Sequence, residues 1–174
     1  ASYSMCNPAD AYHAHFSMLC SLASSLYYVV SQHGDNVGGM TMVLCGETGM
    51  GKSFLQNAMQ SVWQSPESMS GSSTFNALPK LASIARHLLC AVDDLTMIEN
   101  EKHKQLYQFV LTYPQGREKS RADSRNALHK GGSWKNLICI TSNLDIGGII
   151  RENDNQGGAD ARILEMFIRH RNRD

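Results

Sequence analysis

Gly46, Glu47, Thr48, Gly49, Met50, Gly51, Lys52 and Ser53 follow the spacing G-x-x-x-x-G-K-[ST] and come directly after an apolar run at 40–45. Glycines at these positions let a backbone curl around a polyphosphate, so that successive N–H groups and the N-terminus of the next helix point at its oxygens. Lys52 then supplies a point charge for the terminal phosphates, and the Ser53 hydroxyl suits Mg²⁺. The context agrees with the motif. Upstream lies a strand-like run, and downstream Leu55, Ala58, Met59 and Val62 recur at helical spacing on a helix predicted to end before Pro66. The expected ligands are ATP and Mg²⁺.

Two further positions fit the same chemistry. The run His87-Leu-Leu-Cys-Ala-Val-Asp-Asp94 is short, apolar and bounded, as a central parallel strand is, and it ends on Asp93 and Asp94. In a parallel sheet the carboxyl ends of neighbouring strands open onto one crevice. Asp93 is therefore expected to hold the metal and Asp94 to polarise the attacking water. Paired acids also begin ordinary solvated loops, and it is the phosphate loop upstream that favours a site role. A third apolar run at 137–140 leads through Thr141 and Ser142 to Asn143, an amide able to hold a water against the γ-phosphate. Taken alone, that residue reads as a turn asparagine before Asp145-Ile-Gly-Gly148; in company with the first two motifs the site role is favoured.

Positioning these groups requires an alternation of helices and strands. Asn7-Pro8-Ala9-Asp10 carries a cap residue, a proline at the first helical position and a first-turn acid. Phe16, Leu19, Ala23, Leu26 and Val30 then recur at helical spacing, which predicts an amphipathic helix ending near His33. Further helices are expected around 79–86 and 99–111, with a Ser- and Gly-rich surface loop at 64–74. The pattern calls for an α/β fold, a parallel sheet covered by helices on both faces.

At 174 residues the chain is read as one domain, with an N-terminal helix and turn over 1–36 and a nucleotide-binding core over 37–174. No stretch approaches the ~18 to 20 unbroken apolar residues of a membrane span, and the reading is a soluble, intracellular protein with no membrane partner. Cys6, Cys20, Cys45, Cys90 and Cys139 show no C-x-x-C spacing and are expected to be reduced core residues rather than a zinc site. The net charge is zero, but 1–100 hold three Lys/Arg against seven Asp/Glu (−4), and 101–174 hold thirteen against nine (+4). The surplus is densest over 116–130, where Lys119, Arg121, His129 and Lys130 are candidates for nucleic-acid phosphates. A solvated loop is the other reading of that segment. Trp134 offers a stacking surface or, as lone tryptophans before strands usually are, a core residue.

The order of these motifs, followed by Asp160-Ala-Arg-Ile-Leu164, resembles that of superfamily 3 helicases of viruses and mobile elements, which belong to the AAA+ phosphate-loop ATPases. Ser73-Thr-Phe-Asn-Ala-Leu-Pro-Lys-Leu-Ala82 and Tyr113-Pro-Gln-Gly-Arg-Glu-Lys-Ser-Arg-Ala122 are also similar to a helicase-like family in replication proteins of phages and integrative elements. The likeness spans roughly 18–170. It implies an AAA+-like ATPase acting as a homo-oligomeric ring, a hexamer, on single-stranded DNA in the cytoplasm of a bacterial host. Lys52 and Ser53 become the phosphate and metal contacts, Asp93 and Asp94 the acidic pair, and Asn143 the polar sensor. Arg162 becomes an arginine finger reaching a neighbour's site, with Arg151, Arg169 and Arg171 as competitors. The basic segment matches a channel-facing hairpin. Asp94 stands where many AAA+ enzymes carry Glu, which shortens the reach of the base. The chain stops soon after Arg162 and is read as a fragment of a longer replication protein. An ATPase switch that never touches DNA is the alternative, and a small-molecule kinase a third class.

Overall fold

The computed structural model describes residues 11–33, 39–63, 69–70, 77–93, 103–118, 121–122, 128–129, 131–154, 158 and 160–168. Its centre is built from the apolar runs. β1 (Gly39–Cys45), β3 (Cys90–Asp93) and β6 (Asn136–Ser142) are buried along nearly their whole length. Strands without polar alternation need cover on both faces, and here they have it. With β2 (Met69–Ser70) and β7 (Ile163–Phe167) they form one all-parallel sheet in the order β2-β3-β6-β1-β7. β6 therefore lies between the strand that precedes the phosphate loop and the strand that ends on Asp93. A two-stranded antiparallel hairpin, β4 (Arg121–Ala122) with β5 (Leu128–His129), stands apart from the sheet.

Alternate strand residues feed two cores. Val43, Val92, Ile138 and Ile140 meet α3 (Leu78–Ala85), α4 (His103–Thr112) and α5 (Ile146–Asn153) through Ala82, Val110 and Ile150. Met42, Leu44, Leu137 and Cys139 meet α1 (Ala11–His33) and α2 (Lys52–Ser61) through Met18, Leu55 and Met59. The expected helices appear within a few residues of their predicted ends, although Val62, expected inward, is exposed. Trp134 is core and not a stacking surface. It is 2% exposed, stacked on Tyr113 and bonded through its ring N–H to the Tyr113 carbonyl at 3.0 Å. Asn136 joins this corner, accepting the Tyr113 hydroxyl at 2.5 Å and donating to the Leu88 carbonyl at 2.9 Å.

α1 reverses the orientation its apolar repeat implies. The residues it buries are Ser17, Ser21 and Ser24, while Leu19 and Leu26 are 63% and 55% exposed. Hydrogen bonds account for the choice. The Ser21 hydroxyl donates to the Met59 carbonyl at 2.6 Å and accepts from the Trp63 ring N–H at 3.0 Å, tying α1 to α2. The Ser24 hydroxyl accepts the Leu137 N–H at 3.0 Å, tying α1 to β6. Ser24→Ala leaves that buried N–H unpaired and is expected to lower stability by about 1–2 kcal/mol. Ser25→Ala removes only a bond back to Leu22 within the same helix and should stay within about 0.5 kcal/mol. Urea unfolding of the two variants checks the contrast.

Candidate functional site

The chain leaves β1 at Cys45 and enters α2 at Lys52, so the loop between them must turn within six residues at the carboxyl edge of the sheet. Gly49 and Gly51 make the turn at φ 84° and 82°, backbone conformations that side chains disfavour. A Cβ at either position would meet nothing within 4 Å. Conformation rather than crowding therefore requires glycine there, and the loop faces open space.

Lys52 folds back over this loop. Its ammonium donates to the Gly46 and Glu47 carbonyls and to Asn143 Oδ1, each at 2.7 Å. Asn143 follows β6, and its amide also donates to the Thr48 hydroxyl at 3.2 Å. From the other flank, the Ser53 hydroxyl donates to Asp93 Oδ1 at 2.9 Å. The same carboxylate oxygen accepts the Thr141 hydroxyl at 2.6 Å. The ends of β1, β3 and β6 are thus joined through six side chains around an open cleft of about 430 Å³. A serine hydroxyl beside a carboxylate is a hard-oxygen pair of the kind Mg²⁺ prefers. The ammonium and the open loop amides suit a polyphosphate. The residues present therefore fit a metal–nucleotide ligand.

Three contributors were not singled out from the sequence. Thr141 lies on β6 two residues before Asn143, which follows the strand, and the two-residue period of a strand was the available signal. Gln56 is fully buried on α2 and donates to the Val92 and Cys139 carbonyls at 3.0 and 2.8 Å, which seats the helix after the loop on β3 and β6. Phe54 lies off the inward stripe of α2, is 68% exposed and lines the cleft.

Among the other expected site residues, Asp94, Lys119, Lys130, Arg169 and Arg171 lie outside the described residues, and Cys6 does too. Arg121 and His129 are described in backbone only, as opposite members of the β4–β5 hairpin. Arg162 closes a 3₁₀ turn before β7 and donates to the Gly158 carbonyl at 2.7 Å. Arg151 lies on α5, 3.7 Å from Asp145. The described cysteines are free thiols. Burial, reinforced by the Glu165 carboxylate 3.0 Å away, pushes the Cys45 thiol up to about 12. Burial raises Cys139 to about 12 as well, which marks both as inert core groups.

No family model matches the chain, and no curated protein matches it. Among solved structures it is similar to one described as the active helicase Cch of SCCmec type IV, with a TM-score of 0.63 at 18% identity. The match covers 93% of this chain and 31% of that one, so the chain spans about a third of the length of that protein. The likeness is one of fold, a helix-covered parallel α/β sheet shared with a mobile-element helicase.

Gly51→Ala forces a side chain into the left-handed region without any clash to relieve. It should cost about 1–2 kcal/mol of stability, read as a lowered Tm in the absence of nucleotide.

Proposed function

We propose that the chain is the ATP-hydrolysing motor core of a ring-forming DNA helicase, of the superfamily 3 type carried by phages, viruses or mobile elements. The observation that carries this reading is the convergence of Lys52, Ser53, Asp93 and Asn143 at the carboxyl ends of three parallel strands, around a loop whose backbone is open to a ligand. The helicase fold of the structural neighbour supports the motor assignment.

Each residue then has a defined task. The amides of 46–53 and the start of α2 bind the phosphates, and Lys52 exchanges its carbonyl partners for β- and γ-phosphate oxygens. Ser53 and Asp93 hold Mg²⁺, with Thr141 fixing the orientation of the carboxylate. The metal, when bound, neutralises charge on the phosphates. Asn143 holds the attacking water in line, and Asp94 accepts its proton as the water oxygen bonds the γ-phosphorus and the bond to the β-phosphate breaks. Hydrolysis drives a ring, a hexamer, along single-stranded DNA, which the basic hairpin grips by its phosphates through Lys119, Arg121, His129 and Lys130. Arg162 completes the site of a neighbouring copy.

Lys52→Ala should abolish hydrolysis and weaken ATP binding, since it removes the cation held over the loop. Asp94→Asn should leave Mg²⁺-dependent ATP binding intact while turnover falls by ~10² or more. Steady-state hydrolysis and a fluorescent-nucleotide titration separate the two, and wild-type turnover in Lys52→Ala would falsify the phosphate-loop assignment.

Lys119→Ala combined with Arg121→Ala should weaken single-strand binding and lower its salt slope by about one unit for each phosphate no longer neutralised. ATPase turnover in the absence of DNA should hardly change. An unchanged slope identifies the hairpin as a solvated loop, and a wild-type ATPase that single strands fail to stimulate points to a protein switch instead.

A further inference from the structure

Clefts open at both ends of the sheet. The one at the amino end, of about 540 Å³, is walled in part by Arg117, Ser133, Lys135 and Arg162, and no aromatic ring is among its described lining residues. Lys135 immediately precedes Asn136, which pairs with Gly39, and Arg162 immediately precedes Ile163, which pairs with Thr41, so both stand beside the start of β1. The phosphate-loop cleft at the carboxyl end does have an aromatic ring. Of its nine described lining residues, eight are glycine or polar and the ninth is Phe54.

The fold does not demand a phenylalanine there. α2 turns Leu55, Gln56, Met59 and Gln60 inward, and Phe54 lies off that stripe with 68% of its surface exposed. Phenylalanine is a middling helix former, and its ring adds to stability when buried rather than when exposed. An isolated exposed phenylalanine needs no explanation by itself. This one directly follows Ser53, whose hydroxyl bonds Asp93, and successive helix residues are only ~1.5 Å apart along the axis. The polar side chains of the cleft are meanwhile committed to one another. Lys52 bonds Asn143, Asn143 bonds Thr48, and Ser53 and Thr141 both bond Asp93. These groups suit the charged end of a nucleotide. Its other end is an aromatic base, flat and apolar on its faces, and Phe54 is the one described lining side chain of matching chemistry.

We propose that Phe54 is the stacking platform for the base of the bound nucleotide, so that the cleft distinguishes a nucleotide from bare polyphosphate and a purine from a pyrimidine. The inference rests on the nucleotide-binding part of the function proposed above and gives it a residue for the base. Stacking of a base on an aromatic side chain contributes roughly 5- to 150-fold in affinity, judged by alanine substitution. A purine covers more of the phenyl ring than a pyrimidine does, which sets the order expected. Phe54 takes no part in making or breaking bonds. It positions the nucleoside, while Lys52 and Ser53 hold phosphates and metal.

The test measures dissociation constants for ADP, CDP and inorganic pyrophosphate, each with Mg²⁺, by calorimetry on wild type, Phe54→Ala and Phe54→Trp. Wild type should bind ADP more tightly than CDP and either nucleotide more tightly than pyrophosphate. Phe54→Ala should weaken ADP about 10-fold or more and CDP less, leaving pyrophosphate within about twofold and the ligand-free Tm unchanged, as for other exposed substitutions. Phe54→Trp should keep ADP affinity. The emission of its added indole, read against the background of Trp63 and Trp134 in wild type, should change with ADP and not with pyrophosphate. Phe54→Leu keeps apolar bulk on the helix and stands in if the alanine variant unfolds, with the same split between ADP and pyrophosphate expected. Unchanged ADP affinity in Phe54→Ala overturns the proposal. So does an equal loss of ADP and pyrophosphate, which makes the ring a support for the loop, and so does an indole emission that both ligands change alike. A wild-type chain that binds pyrophosphate as tightly as ADP leaves the phosphate-loop reading standing and overturns this inference alone. One that binds neither overturns the nucleotide reading and this inference with it.

Discussion

β6 is the constraint on which the rest of the architecture depends. All seven of its residues are buried, and it hydrogen-bonds to β1 on one side and β3 on the other. A parallel strand cannot be added at the centre of a sheet without separating the strands on either side. Asp93 is therefore held one strand spacing further from the phosphate loop than a direct β1–β3 pairing would place it. The gap is closed by side chains from the inserted strand and its end. Thr141 reaches Asp93 and Asn143 reaches Lys52, so the strand that separates the two halves of the site also wires them together. Gln56 makes a comparable link from below, spanning the carbonyls of β3 and β6 from the helix that follows the loop.

The parts of this arrangement legible from residue order are those in which local geometry and chemistry coincide. The phosphate loop is one, because the left-handed turns at Gly49 and Gly51 are a local backbone requirement. Asp93 and Asn143 are legible as strand ends, since parallel strands align their carboxyl ends. Thr141 and Gln56 were not, because their roles lie in hydrogen bonds to residues 48 and 83 positions away. β7 was missed because an edge strand only five residues long and interrupted by Glu165 lacks an apolar run. Its carboxylate instead accepts the Gly147 N–H and the Cys45 thiol, holding α5 to the sheet. α5 itself contains two consecutive glycines of poor helix propensity and forms under an Asp145 cap bonded to the Gly148 N–H at 2.7 Å.

α1 shows the limit of periodicity more sharply. Apolar residues at helical spacing identify a helix, and a helix is what forms. Which face turns inward was decided by serines, small enough to let α1 approach the sheet closely and able to satisfy Leu137 N–H and Met59 C=O. A helix of 23 residues without one Asp, Glu, Lys or Arg leaves the opposite face wide, apolar and uncharged. Hydrophobic spacing gives the phase of a helix, whereas buried hydrogen bonds fix its rotation where both faces are only weakly polar.

The two clefts at opposite ends of the sheet differ in how they are held. The phosphate-loop cleft is braced by side-chain bonds among β1, β3 and β6, elements buried in both cores. The amino-end cleft is walled partly by the Arg117–Ser133 bridge and the Glu118–Gly132 backbone bond at 2.8 Å, and these form the stem from which the β4–β5 hairpin extends. Trp134, whose own N–H bonds the Gly116 carbonyl at 2.9 Å, anchors that stem to Tyr113 and to the sheet. The backbone of Arg117 and Ser133 thus belongs both to the bridge and to the cleft wall. Lys135 and Arg162, by contrast, enter directly into β6 and β7, which pair with β1. The amino-end cleft thus joins a wall that belongs to the sheet, at Lys135 and Arg162, and a wall that belongs to the Arg117–Ser133 bridge.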